Sequence, residues 1–578
     1  MSTVAAMKAH AHERVSFFAH PETTLVPVEL AVDGNRDGYV VLASGSTQYD
    51  PNGNALTPDT TSQDKPFRFW LNNDEDDKDS GETVPATSPD YNNSQIKEIR
   101  DLEDFTRLTL HFGALQDAIA SGKIQVGLKW KTVASGAPKI KVWKNCSPNG
   151  GPDYLTSTSV AQQELQLTSP GEVQGSTVYM IPQLFWQQMG LSSSQPNGYV
   201  LFEGGAEGEG ELEMVFEDQN GNQIGEGGSV WIDLKDVKRM YERVKATPPN
   251  IDYPYNYTGP NNAPPEPNMG WVPDPNGFNP DYSTVSWQPT QQYIVFVHGW
   301  NTDYNGATTT GETIFKRLWQ RGYKGRFVRF YWPTYTGFTT FNDSEYRAWK
   351  CGASLQQYMA SLPSGYGKDL ISHSMGGIVG GSALQKGMSV DNYVLLNAAV
   401  PAECFDTNSA LNQWNYTTPD GDTDPGTKAL GYIGQLSTVS GNLVNFYLTQ
   451  DSATTYWWPL NQQHAKPQRF NSGASGYFYT PGNPAGQKLG ITYMTTVGRF
   501  VTTAHEAMAY VDQSETKATG GESRTAGAIS GSSDMDNYGF GTDHSAEFNL
   551  PIQQVEPCYY DILKNLRIPQ IYLDSAHP

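Results

Sequence analysis

At 578 residues the chain has room for on the order of two to four domains. Hydrophobic residues make up 37% and aromatics 12%, the composition of a folded protein, and no stretch approaches the roughly 18 to 20 consecutive apolar residues of a membrane-spanning helix. Asp and Glu number 61 against 39 Lys and Arg, a net charge of -22, which argues against nucleic acid or an anionic membrane surface as partner because both require basic patches.

The opening MSTVAAMKAHAHERVSFFAH holds no apolar run long enough for a secretory signal, whereas 57 Gly, 37 Pro and 32 Tyr with little Lys lean towards a secreted or extracellular protein. Composition sets the expectation: secreted or extracellular. Cys146, Cys351, Cys404 and Cys558 are far apart and form no Cys-x-x-Cys pair, which argues against a zinc or iron–sulfur site and leaves two disulfides or four thiols open.

Residues 1–246 read as an all-β region of one or two β-sandwich modules. Apolar alternation marks strands at Leu25–Val32, Tyr39–Leu42, Phe67–Leu71, Leu108–Phe112, Ile124–Trp130, Ile140–Trp143, Val178–Ile181, Tyr199–Phe202 and Glu211–Phe216, with Asn220-Gly221 as a hairpin turn. Within AVDGNRDGYV, Asp33, Asn35 and Asp37 alternate ahead of Gly38, the ligand spacing of a hard-cation loop. The twelfth position is Ser44 rather than Glu and the flanks are strand-like, so an EF-hand is not supported. The expectation is a structural calcium site completed by Asn72–Asp79 or by Asp101, Glu103 and Asp104, against the plainer reading of a solvated acidic turn. The task of this half is open between binding a polymer or cell surface and bracing the C-terminal half.

Residues 247–290 carry proline and asparagine at a density that no helix or central strand sustains, and read as a surface connector. From 291 to 578 strands and helices alternate: strand Tyr293–Trp300, helix Glu312–Arg321, strand Arg326–Trp332, helix Asp343–Ala360, strand Asp369–Ser372, helix Gly377–Lys386, strands Tyr393–Ala398 and Leu443–Leu448, and a last helix Gln553–Leu566. That order predicts a mostly parallel, doubly wound α/β sheet. Insertions at about 403–440 and 452–542 interrupt it. Loops of that length are commonly lids or binding surfaces, and the second carries Tyr456-Trp457-Trp458 and Tyr477-Phe478-Tyr479.

The run Ser372-His373-Ser374-Met375-Gly376-Gly377 sits between a strand and a helix, the setting of a nucleophile elbow, in which a strained turn holds a serine hydroxyl clear of the sheet. Together with the earlier FVHGWN, this SHSMGG segment resembles the α/β-hydrolase superfamily, in particular its lipase- and esterase-like members, over roughly Tyr293 to Pro578. Ser372 stands where those members usually have glycine. The resemblance implies Ser374 as nucleophile, a histidine in a loop before the last helix, and an acid at the end of the next strand but one. His544 in GFGTDHSAEFN and Asp451 in FYLTQDSAT occupy those places, in the order serine, acid, histidine. His464 and His505 are the rival bases and read better as surface or packing residues. Asp406, Asp420, Asp422 and Asp424 are rival acids, and Asp543 lies too near His544 to orient it. Backbone N–H groups of Met375 and of Trp300 or Asn301 would form the oxyanion hole, with His298 holding its loop. The expected activity is hydrolysis of a carboxylic ester, small or polymeric, through an acyl-enzyme with no cofactor. Amidases, thioesterases and acyltransferases use the same machinery, and a catalytically dead domain in an adhesion or scaffold protein is the reading from another class.

Overall fold

The computed structural model describes residues 14–15, 26–50, 52–72, 101–167, 171–247, 270–274, 280, 282, 290–334, 341–399, 438–448, 451, 453 and 531–571. In the first region the principal strands are β1 (Glu29–Ala31), β2 (Phe67–Trp70), β3 (Thr106–His111), β4 (Ile124–Lys144), β5 (Asn197–Asp218) and β6 (Gln223–Lys235). With two short strands they form one eight-stranded sheet, ordered β1-β3-β5-β6-β2, with β4 paired along β5. The region is β-rich rather than all-β, since helices run over Gln116–Ala120, Thr158–Leu165 and Gln183–Met189.

Two pairs of expected strands fuse. Ile124–Trp130 and Ile140–Trp143 are the ends of β4, and Tyr199–Phe202 and Glu211–Phe216 lie within β5. Their ladder runs from Ile124 opposite Asp218 to Lys144 opposite Val200, with four register shifts where bulges absorb the polar middle. Gly204 allows the close approach of β2, because a Cβ there would stand 2.3 Å from the Trp70 carbonyl oxygen. Asn220-Gly221 turns β5 into β6 with Gly221 at φ 80°. Tyr39–Leu42 forms no strand. The Asp59 carboxylate takes the Val41 N–H at 2.8 Å, a side chain standing in for a neighbouring strand.

A second eight-stranded sheet is ordered β8-β7-β10-β9-β11-β12-β13-β14. Its members are β7 (Glu242–Thr247), β8 (Gly270–Pro273), β9 (Gln292–Val297), β10 (Arg326–Tyr331), β11 (Gly367–His373), β12 (Asn392–Leu396), β13 (Leu443–Tyr447) and β14 (Gly531–Asp534). Each pairing is parallel except that of β8 with β7. Helices α1 (Tyr304–Gln320), α2 (Phe341–Ser361), α3 (Gly376–Gln385) and α4 (Ile552–Asn565) accompany it. The sheet starts earlier than residue 291, because β7 lies across the expected boundary and β8 inside the expected connector. β7 pairs with β10, and its buried Val244 and Ala246 share a core with Val295, Val297 and Phe330 of the α/β sheet.

Strand β9 shows why its run is continuously apolar. Tyr293, Val295 and Val297 enter one core with Leu355, Ile378 and Val379, while Ile294 and Phe296 enter another with Ile314, Leu318 and Ile562. The second core continues into the first region, where Trp319 of α1 packs edge-on to Phe67, Phe69 and Trp70. Cys146, Cys351 and Cys558 are free thiols, and Cys404 lies outside the described residues. No helix among the described residues is long and apolar enough to cross a membrane.

Candidate active site

The chain runs from β9 out to β10, then back past β9 to β11, so the crevice at the carboxyl ends of β9 and β11 is where the strand order reverses. Ser374 follows β11 there with φ 53°, a left-handed backbone that a residue bearing a Cβ adopts at a cost of about 1–3 kcal/mol. The turn is held by Ser374 N–H donating to Leu396 O at 2.9 Å and Ala399 N–H donating to Ser374 O at 3.0 Å. Gly376 is required by space, since a Cβ would meet Val297 O at 2.5 Å and His298 O at 2.6 Å. Ser372, in place of the usual glycine, is fully buried and its hydroxyl meets the Tyr393 hydroxyl at 2.8 Å. The extra Cβ and oxygen are thus absorbed by the neighbouring strand.

His544 and Asp451, 93 residues apart, meet at 2.5 Å between Nδ1 and Oδ2. Asp451 is buried and also takes the Ala453 N–H at 2.8 Å, while the His544 side chain keeps 16% exposure. Burial alone would push the imidazole pKa down; the Asp451 charge and hydrogen bond outweigh that and raise it above 6.5. Asp543 is occupied locally, accepting from Ser545 N–H and Asn549 Nδ2.

The backbone of His544 is itself gripped. Its carbonyl accepts from His373 Nε2 and from Asn397 Nδ2, both at 3.0 Å, and the two imidazoles pack with ring centroids 4.9 Å apart. Burial, then the neighbouring His544, lowers the His373 pKa to about 3, so its ring is neutral with the proton on Nε2. Glu547, fully buried, lies 3.5 Å from Asn397 Nδ2, and burial raises its pKa to about 8. Sequence reasoning missed His373, Asn397 and Glu547. The first was in view within the SHSMGG run, but nothing local marks the other two.

His298 stacks against Tyr331 and Trp332, its Nδ1 donates to Gly299 O at 2.9 Å, and Nε2 accepts from Trp332 N–H at 3.2 Å. It holds its loop, and burial pushes its pKa down to about 3. That loop abuts the elbow: a Cβ on Gly299 would fall 2.8 Å from Ser374 Cβ. Met375 opens α3, Trp300 is half-buried, and Asn301 is exposed at φ 60°. His464, His505, Asp406, Asp420, Asp422, Asp424 and the aromatic runs of the second insertion lie outside the described residues.

The Asp33–Asp37 turn closes on itself. Asp33 accepts from the N–H groups of Asp37 and Gly38 at 3.0 and 2.9 Å, and Asn35 Nδ2 donates to Asp37 at 2.9 Å. Of the expected distant ligands, Asp101 and Asp104 face Lys316 and Glu103 faces Arg317, while residues 73–79 lie outside the described residues. Among the described residues no group of three or more His, Cys, Asp or Glu is arranged to hold a metal ion.

Residues 282–455 match a family model described as "Alpha/beta hydrolase of unknown function (DUF900)". No curated protein matches this sequence significantly. Among solved structures, polyneuridine aldehyde esterase is 12% identical with a TM-score of 0.23, over 48% of this chain and 99% of its own. Pyrococcus horikoshii acylaminoacyl peptidase is 10% identical with a TM-score of 0.24, over 53% of this chain and 40% of its own. A type II thioesterase of yersiniabactin biosynthesis is 11% identical with a TM-score of 0.20, over 48% and 96%. Likeness at that level carries no argument about activity. The family match, on a segment that spans the elbow and the strands feeding it, identifies the C-terminal half of the chain as an α/β hydrolase.

Proposed function

We propose that this α/β hydrolase is a serine ester hydrolase with Ser374 as nucleophile, His544 as base and Asp451 as the acid that orients it. The observation that carries the reading is the 2.5 Å contact of His544 Nδ1 with a fully buried Asp451, beside an elbow serine at φ 53°. Asp451 fixes the proton on Nδ1 and leaves Nε2 to take the serine proton. Ser374 Oγ then bonds to the ester carbonyl carbon, and the oxyanion is met by N–H groups of Met375 and of Trp300 or Asn301. Collapse expels the alcohol with the proton from His544. Water, deprotonated by the same imidazole, attacks the acyl-enzyme and releases the acid. No cofactor takes part in this scheme, and the substrate is a small or polymeric ester.

A fluorophosphonate probe tests this directly. Labelling of the wild type and loss of label in Ser374→Ala are expected, with turnover of p-nitrophenyl esters of graded chain length. A folded wild type that takes no label would favour a catalytically silent scaffold. Labelling with turnover confined to amides or thioesters would move the reading to an amidase or thioesterase.

A further inference from the structure

Arg317, on α1 and fully buried, joins the two halves of the chain. Its Nε donates to Glu103 Oε1 at 2.8 Å, on the Asp101–Asp104 turn of the first region, and its Nη1 donates to Glu547 O at 2.8 Å. Glu547 is three residues beyond His544. The same carbonyl accepts from Tyr559 Oη at 3.0 Å. Around this contact the turn is fastened to α1 by Lys316 on Asp104 at 2.8 Å and by Gln320 Nε2 on Glu103 O at 2.6 Å. The guanidinium is planar, so a carboxylate holding one edge fixes the direction in which the other N–H groups point.

We propose that the N-terminal β-rich region is a positioning element of the hydrolase: through Glu103 it orients Arg317, which holds the loop carrying His544 in register with Ser374. Glu103 and Arg317 are positioning residues, since each acts through the base. A buried ion pair contributes little net stability against an apolar pair of similar volume, so its use here is geometric. An error of about 1 Å in catalytic geometry costs on the order of a hundredfold in rate. The inference rests on the triad reading above.

The test compares wild type with Glu103→Gln and Arg317→Lys in the full chain. Glu103→Gln keeps the shape and drops the charge, whereas a lysine in place of Arg317 cannot reach both partners at once. A fall of about tenfold or more in kcat and in fluorophosphonate labelling rate is expected, with KM little changed. The acid limb of the pH profile should move down as the His544–Asp451 contact loosens. Because leaving one buried charge alone can unfold a protein, a paired Glu103→Leu, Arg317→Met variant is measured alongside; such apolar replacements often keep or raise stability. Folded variants with kcat, labelling rate and acid limb all as in wild type overturn the proposal. If instead the wild type is unlabelled, or Ser374→Ala still takes label, the triad reading has failed.

Discussion

At the scale of single residues, the proposed mechanism makes the pair His544 and Asp451 the determinant of pH behaviour. Because the imidazole pKa stands above 6.5, activity should rise with pH through that ionisation, as the base loses its proton. Asp451→Asn removes the charge and the correct tautomer. It should lower kcat by about 10³–10⁴-fold and move the rising limb to lower pH, which a kcat/KM profile reads. Gly376→Ala should be nearly as damaging by another route. Its Cβ would press on the carbonyls of Val297 and His298, so the elbow must shift at a cost on the order of 1–3 kcal/mol, visible as a lower Tm together with lost labelling.

At the scale of elements, the candidate crevice is the product of two strands and the turns that leave them. β9 ends in a loop stiffened by the His298–Trp332 contacts, and β11 ends in the strained elbow. In the first region β2 and β6 are tied side by side, with Arg68 Nη2 2.7 Å from Asp233 and both side chains buried. Asp233→Ala leaves the guanidinium buried without that carboxylate. A loss of about 3–5 kcal/mol is expected in denaturant unfolding, with m unchanged. Apart from α1, which begins at Tyr304 rather than at the expected Glu312, the hydrolase elements fall within a few residues of where periodicity put them, because a helix or strand packed on both sides must show its period in apolar residues. β14 was missed for the opposite reason: Gly-Ser-Ser-Asp has no apolar pattern, and its pairing to β13 supplies the order.

At the scale of the whole molecule, one apolar cluster runs from the first sheet through α1 to the second. Calorimetry should therefore show one cooperative transition covering both halves rather than two. Several buried carboxyls have pKa values raised by burial: Asp59 and Glu547 to about 8, Asp369 and Glu164 to about 7. A raised folded-state pKa stabilises below the unfolded value, 3.8 or 4.5, and that contribution is lost as pH climbs through the folded value. His298 and His373, held neutral, add no slope above 6.5. Tm should accordingly fall between pH 6.5 and 8.5, and a flat or rising Tm there would contradict the burial of these groups.

The sequence by itself determined the α/β order of the second half and the elbow at Ser374. Periodicity and turn chemistry are local, and so is the strand–turn–helix context of a serine between small residues. It also ordered Asp451 and His544 as candidates, though by resemblance to a family rather than from their own neighbourhoods. Only the tertiary structure decided that these two touch and that His373 and Asn397 grip the His544 carbonyl. It alone set the Asp101–Asp104 carboxylates against Lys316 and Arg317 of α1. It also decided that residues 242–247 belong to the second sheet. Each of these depends on contacts between segments tens to hundreds of positions apart, for which a pattern read along the chain contains no distance.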